Sequence, residues 1–177
     1  MKVFKFGGTS VKDAESIKNV ASIIKTEGAN DTLVVISAMG KMTNSFEDVV
    51  DAYYNKTENL PNKLNFIEDY HRNIMSSLFD KEDAIYKDVA ILFGELGWFL
   101  ARNTSQRYNY VYDQIICFGE LLSTRIVSAY LSKIGIENSW FDVRNCIKTD
   151  SNYRDAKVDW DLTEAIISKK VDASKIN

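Results

Sequence analysis

Four consecutive β-forming apolar residues, Leu33-Val34-Val35-Ile36, lack the alternation of a strand with one wet face. A run of that kind is the mark of a strand covered on both faces, which is how parallel sheets are built. A parallel neighbour has to be reached through a crossover, usually a helix. The sequence supplies one. Val3-Phe4-Lys5-Phe6 reads as a short strand ending at Gly7-Gly8, and from Lys12 onward Ala14, Ile17, Val20 and Ile24 recur at helical spacing until Gly28. The order strand, helix, strand therefore predicts a parallel pair.

Further along, breakers are scarce: one proline, Pro61, and eight glycines, none after Gly135. Long helices are the consequence. Phe46, Val49, Val50, Tyr53 and Tyr54 mark one. Leu64, Ile67, Ile74 and Leu78 mark the next, then Ile85, Val89, Leu92, Leu96 and Phe99. Leu122, Ile126, Ala129 and Tyr130 predict a helix closing at Gly135. Trp140-Phe141 reads as a short third strand, and Leu162, Ala165 and Ile166 as a last helix. The fold class expected is α/β, a parallel sheet with helices on its faces.

Composition narrows the function classes. The 177 residues suffice for a buried core, and 45% apolar with 27% charged residues is ordinary for a globular protein. Lys plus Arg total 22 against 25 Asp plus Glu, a net charge of -3, which offers nucleic acid no basic face. No stretch reads as a signal peptide or as the ~18 apolar residues of a membrane span. Cys117 and Cys146 share no metal spacing, and one histidine, His71, builds no zinc site alone. The cysteine usage points to a reducing, cytoplasmic setting. His71 is expected at the surface or half-buried, and Tyr108, Tyr110 and Tyr112 in packing and loops.

Parallel sheets place ligands at the carboxyl ends of their strands, so chemistry is sought just after Phe6 and Ile36. The first cluster is Lys5-Phe6-Gly7-Gly8-Thr9-Ser10-Val11. The two glycines permit close backbone approach and positive φ, and the turn's N–H groups suit an anion such as phosphate. Thr9 and Ser10 are natural N-cap residues, and Lys5 offers a point charge for a phosphoryl oxygen. The stretch is neither GxxxxGK[ST] nor GxGxxG. It reads equally well as a plain capped turn. A second cluster, from Ser37 through Gly40 to Thr43 and Asn44, puts hydroxyls after the second strand. There Thr43 or Asn44 alternatively caps the helix, and Lys41 is a solvated charge. A third, Cys117-Phe118-Gly119-Glu120-Leu121-Leu122-Ser123-Thr124, sets a carboxylate among apolar residues. Glu120 either receives a cationic amine or faces solvent at a helix kink.

In this order, the clusters resemble aspartate kinases of the amino acid kinase superfamily. Met1 to Val11 is similar to that family's opening signature. Val34-Val35-Ile36-Ser37-Ala38 with Met42-Thr43-Asn44 is similar to its second segment, Phe118 to Thr124 to its third, and Trp140-Phe141-Asp142-Val143-Arg144 to its fourth. The fourth is most similar to the monofunctional, lysine-pathway enzymes. The resemblance implies an α/β sandwich of the amino acid kinase type, with residues 1–177 forming its N-terminal, amino-acid-binding part and several long helices. It implies transfer of phosphate from ATP, with Mg²⁺, to the β-carboxylate of L-aspartate, the first step of lysine, threonine and methionine biosynthesis. Lys5 would be catalytic. Lys5, Gly7, Gly8, Thr9 and Ser10 would hold phosphate, Ser37, Thr43 and Glu120 would bind aspartate, and no residue here is assigned to a metal.

The family continues into a glycine-rich nucleotide-binding half and regulatory domains, whereas this chain ends at Ser174-Lys175-Ile176-Asn177, where a further core strand is expected to follow. The 177-residue chain is accordingly expected to be an incomplete domain without turnover. The full-length enzyme is expected to be a homo-oligomer, and the shorter chain to self-associate through uncovered apolar faces. The alternative is a non-catalytic binding module derived from the same lobe. Another amino acid kinase, acting on glutamate, carbamate or a nucleotide, fits the fourth segment and the Ser37, Thr43 and Glu120 set less well.

Overall fold

The computed structural model describes residues 1–170; the chain end at 171–177 lies outside the described residues. β1 (Lys2–Phe6) and β2 (Thr32–Ile36) pair in parallel, Lys2 opposite Thr32 and Phe6 opposite Ile36. α1 (Ala14–Glu27) is the crossover between them. Its N-cap is Asp13, whose carboxylate accepts the Ser16 N–H at 2.8 Å. It stops where Gly28 takes φ +83°, a conformation open to glycine without strain. Ile17, Val20, Ala21 and Ile24 form its buried stripe, as the spacing predicts.

Five α-helices come between β2 and the last described element. α2 (Met42–Tyr54), α3 (Leu60–Leu78) and α4 (Ile85–Arg102) follow in order, then α5 (Tyr108–Ile116) and α6 (Phe118–Lys133), with α7 (Trp160–Lys170) last. α2 is the pivot of the packing. It lies against α3, α5 and α6, and its Phe46, Val49 and Val50 are wholly buried. Each such side chain contributes about 1.5–3 kcal/mol on burial.

Four expectations change on folding. α5 was not foreseen: Tyr108, Tyr110 and Tyr112 stand on a helix, not in a loop. Their role in packing holds, since Tyr108 donates to Asp51 at 3.1 Å and Tyr112 to Glu47 at 2.7 Å, tying α5 to α2. Secondly, Tyr108–Lys133 forms one helical run in which α5 and α6 adjoin at Cys117, long and apolar enough by length and composition to cross a membrane. Here its apolar side makes core, through Val111, Ile115, Phe118, Leu122 and Ile126.

Thirdly, Trp140-Phe141 is not a strand. Its neighbourhood is pinned to α6 by side chains instead of pairing with the sheet. The Asn138 amide carbonyl accepts from the Ser128 hydroxyl at 2.7 Å, and the Trp140 indole donates to Thr124 at 3.0 Å. Among the described residues the sheet has two strands. Fourthly, helices cover only the sheet face bearing Phe4, Phe6, Val34 and Ile36. The opposite face leaves Val3 57%, Leu33 44% and Val35 44% exposed, with Lys5 beside them. The uninterrupted apolar run is thus half-covered in this chain.

That face gives the expected self-association a structural location. Leu33→Thr with Val35→Thr places β-branched residues at both positions while removing apolar surface. In light scattering against concentration, the wild-type chain is expected to grow in mean mass and the double variant to stay lighter. Identical curves would assign any association to another surface.

Candidate functional site

The two strand ends and the first turn of α6 meet at one place. Ser37 N–H donates to Phe6 O at 3.1 Å, extending the β1–β2 pairing by one residue. Gly40 N–H then donates to Gly8 O at 2.9 Å, so the loop after β2 lies directly on the turn after β1. From the other side, Ala38 N–H donates to Glu120 Oε1 at 3.2 Å, and the Ser123 hydroxyl donates to Ser37 O at 2.8 Å. A Cβ on Gly119 would stand 3.0 Å from Ala38 Cβ, which shows how close α6 comes. Three clusters, the first and third more than 100 residues apart in sequence, thereby become one site.

The glycine turn differs in detail from its sequence reading. Gly7 has φ -77° and ψ 171°, and neither Gly7 nor Gly8 is at positive φ. Gly8 is required by proximity: a Cβ there would sit 2.7 Å from both Ala38 O and Gly40 O. The positive φ belongs to Gly40, at +54°. Gly8–Val11 form a 3-10 turn closed by Ser10 N–H donating to Gly7 O at 2.9 Å. Thr9 and Ser10 are exposed within that turn, and Asp13 performs the capping expected of them. The N–H groups of Gly8 and Thr9 head the turn with no partner inside it.

Lys5 projects from the open sheet face with its ammonium 3.8 Å from the Cβ position on Gly7. It has no ion-pair partner among the described residues. A cation over a glycine turn that offers free amides is suited to an anion. Across the loop, Ser37 and Thr43 are both half-buried. Neither Thr43 nor Asn44 caps α2, because Lys41 occupies that position with no side-chain bond. Lys41 is exposed, as expected of a solvated charge.

Glu120 is half-buried rather than turned to solvent. One carboxylate oxygen is committed to Ala38 N–H, leaving Oε2 to receive a donor. The Trp140 to Arg144 segment buttresses this corner. Thr124, which holds the Trp140 indole, donates to Glu120 O at 2.7 Å. Arg144 makes a bidentate pair with Asp142 and reaches Cys117 Sγ at 3.8 Å. Burial nevertheless pushes the Cys117 thiol up, so it is no ready nucleophile. Among the described residues no three His, Cys, Asp or Glu side chains are grouped to hold a metal ion.

Sequence reasoning missed two members of this neighbourhood. Ser123 fixes the Ser37 carbonyl, and Tyr70 on α3 donates to Lys12 O and stands over Gly40. Neither carries a local signal, since both act on segments more than 25 residues away.

A family model for the amino acid kinase family matches residues 1–175. Aspartokinase 2 of Arabidopsis thaliana, a chloroplastic protein, is 34% identical over 145 residues, covering 79% of this chain and 26% of that protein. Its chloroplastic bifunctional aspartokinase/homoserine dehydrogenase 2 is 29% identical over 163 residues, 86% of this chain and 18% of that one. Among solved structures, Escherichia coli aspartokinase III in complex with aspartate and ADP superposes with a TM-score of 0.81 at 25% identity. That match covers 96% of this chain and 37% of the bacterial one. The chain thus spans between about a fifth and two-fifths of the relatives it matches. With the parallel pair, the helices and the converging loops, these likenesses place the chain in the amino acid kinase family, with the α/β fold of the N-terminal part of aspartokinases.

Proposed function

We propose that this chain forms the amino-acid-binding and phosphoryl-cradling side of an ATP-dependent kinase acting on the β-carboxylate of L-aspartate. The observation that supports it is the convergence of the Gly8 turn, the Ser37–Lys41 loop that leads into Thr43, and the Glu120 carboxylate through hydrogen bonds. In the reaction, a β-carboxylate oxygen attacks the γ-phosphorus of ATP. The bond from that phosphorus to the β,γ-bridging oxygen breaks, ADP leaves with the electron pair, and 4-phospho-L-aspartate forms. Such a transfer needs positioning and charge neutralisation more than covalent help.

The chain's own groups divide accordingly. Lys5 and the Gly7, Gly8, Thr9 and Ser10 turn face the transferring phosphoryl group, the ammonium offsetting charge that grows on its oxygens. Ser37 and Thr43 donate to the amino acid, and Glu120 Oε2 accepts from its ammonium. Mg²⁺ would shield the nucleotide's phosphates, but the described residues supply no ligand cluster for it, and no step is assigned through it. The two free thiols suit the reducing, cytoplasmic compartment proposed for the chain.

Calorimetric titration with L-aspartate tests the reading. Glu120→Gln keeps an acceptor for Ala38 N–H while removing the charge, so it is expected to fold as wild type and bind aspartate about ten-fold or more weakly. Glu120→Ala, which also frees Ala38 N–H, should lose binding and some thermal stability. With ATP, Mg²⁺ and hydroxylamine, the 177-residue chain is expected to yield no aspartyl hydroxamate. Equal aspartate affinity in wild type and Glu120→Gln would remove Glu120 from the site.

A further inference from the structure

We propose that Tyr70 is a positioning residue of this site: its hydroxyl pins the turn after β1 to the loop after β2 and so sets the geometry of the amides around Gly8. The inference rests on the phosphotransfer reading only for what those amides face.

Tyr70 lies on α3, about 60 residues from the glycine turn and 30 from Gly40, yet it touches both. Its hydroxyl donates to Lys12 O, at the close of the Gly8–Val11 turn. The same oxygen is 2.7 Å from where a Cβ on Gly40 would stand. Gly40 in turn donates its N–H to Gly8 O at 2.9 Å. The contacts close a ring, from the Gly8 turn through Lys12 to Tyr70, on to Gly40 and back to Gly8.

α3 does not depend on this hydroxyl for its own place. Ile67, His71, Ile74, Met75 and Leu78 are buried beneath it, and the Tyr70 ring packs edge-on to His71 at 5.5 Å between centroids. The helix is therefore an anchored post from which Tyr70 reaches the two loops. Gly40 takes φ +54° beneath the hydroxyl, so the loop is shaped to admit it. A purely structural tyrosine would share its loss across the fold. A positioning one should loosen these loops and spare the core.

Tyr70→Phe separates the two. In the 177-residue chain, amide hydrogen exchange at Gly40 and Ser10 is expected to quicken about five- to ten-fold, matching the loss of one hydrogen bond. Exchange at Ile74 and Met75 should stay as in wild type. In titrations followed at the Gly8 and Thr9 amides, inorganic phosphate should bind several-fold more weakly to the variant. Binding of L-aspartate, whose proposed contacts include Ser37 on the loop after β2, should weaken as well. Unchanged exchange at Gly40 and Ser10, or equal quickening throughout α3, overturns the proposal.

A second variant guards against a folding defect. Gly40→Ala drives a methyl onto the Tyr70 oxygen as well as straining its backbone, and the backbone strain is the same in any background. The loss in urea midpoint from Gly40→Ala should be smaller when Tyr70 is already Phe. Strict additivity would mean that the hydroxyl does not hold the loop. A wild-type chain that fails to bind L-aspartate would sink the phosphotransfer reading, while the exchange result would still decide the role of Tyr70.

Discussion

Gly8→Ala is expected to destabilise the chain by about 2–3 kcal/mol, while Gly7→Ala, one residue away, stays within about 0.5 kcal/mol of wild type. The difference follows from what each new methyl meets. At Gly8 it lands 2.7 Å from Ala38 O and Gly40 O and 3.4 Å from Gly40 N, all backbone atoms fixed by the β2 loop. No rotamer change relieves such a clash, so the loop itself must shift and the Gly40 N–H to Gly8 O bond goes with it. At Gly7 the nearest atom is Lys5 Nζ at 3.8 Å, an ordinary contact with the mobile end of a side chain. Gly7 also has φ -77°, which alanine adopts freely, and alanine restricts the unfolded chain more than glycine does. Urea denaturation of the three proteins reads the contrast. Equal midpoints for the two variants would mean that the β1 turn and the β2 loop are not in contact.

The second large effect is acid destabilisation through His71. The sequence suggests a surface or half-buried histidine, but the side chain is fully buried. Its Nδ1–H donates to Ile67 O at 2.8 Å, and Nε2 has no hydrogen-bond partner among the described residues. Burial lowers its pKa from 6.5 to about 4, with the bond to Ile67 opposing only in part. The unfolded chain therefore takes up a proton below pH 6.5 that the folded chain resists until about pH 4. Stability is full above pH 6.5 and falls as pH drops through that window. At about 1.4 kcal/mol per unit, the loss reaches roughly 3 kcal/mol by pH 4. Asp13, Asp83 and Asp142 are held below the ordinary carboxylate value of 3.8, so most of their loss comes at lower pH. His71 is the one histidine in the chain, which makes the assignment clean. His71→Leu should flatten the stability profile between pH 6.5 and 4, and a variant as acid-sensitive as wild type there would exonerate His71.

Both results turn on features that a sequence exposes unevenly. The α1 stripe of Ile17, Val20 and Ile24 is legible because helical spacing is a local property, and so are the ends of the two strands. α5 is not, because its tyrosines alternate like strand or loop residues and only their docking on α2 favours a helix. Trp140-Phe141 has strand-forming residues without a strand, since β-structure needs an available edge and this segment is claimed by α6. The Leu33 to Ile36 run has the composition of a strand covered on both faces, but the fold covers one. For the site, Lys5, Gly8, Ser37 and Glu120 stand out by residue type and place in the motif. Tyr70 does not, and Ser123 lies in the third cluster without its brace on Ser37 being visible, since a hydroxyl that braces a distant carbonyl leaves no mark on its own neighbours in sequence.

The parallel βαβ start, the helical character of most of the chain, the family resemblance and the three candidate clusters are all legible in the sequence. Those depend on periodicity and on short motifs, which are set within a dozen residues. Tertiary structure alone decided that the clusters meet, that Gly8 rather than Gly7 is sterically required, that Glu120 divides its oxygens between backbone and open space, and that the lone histidine is buried. Each of these depends on which distant backbone atoms approach within about 3 Å, and that distance is fixed only when the helices pack.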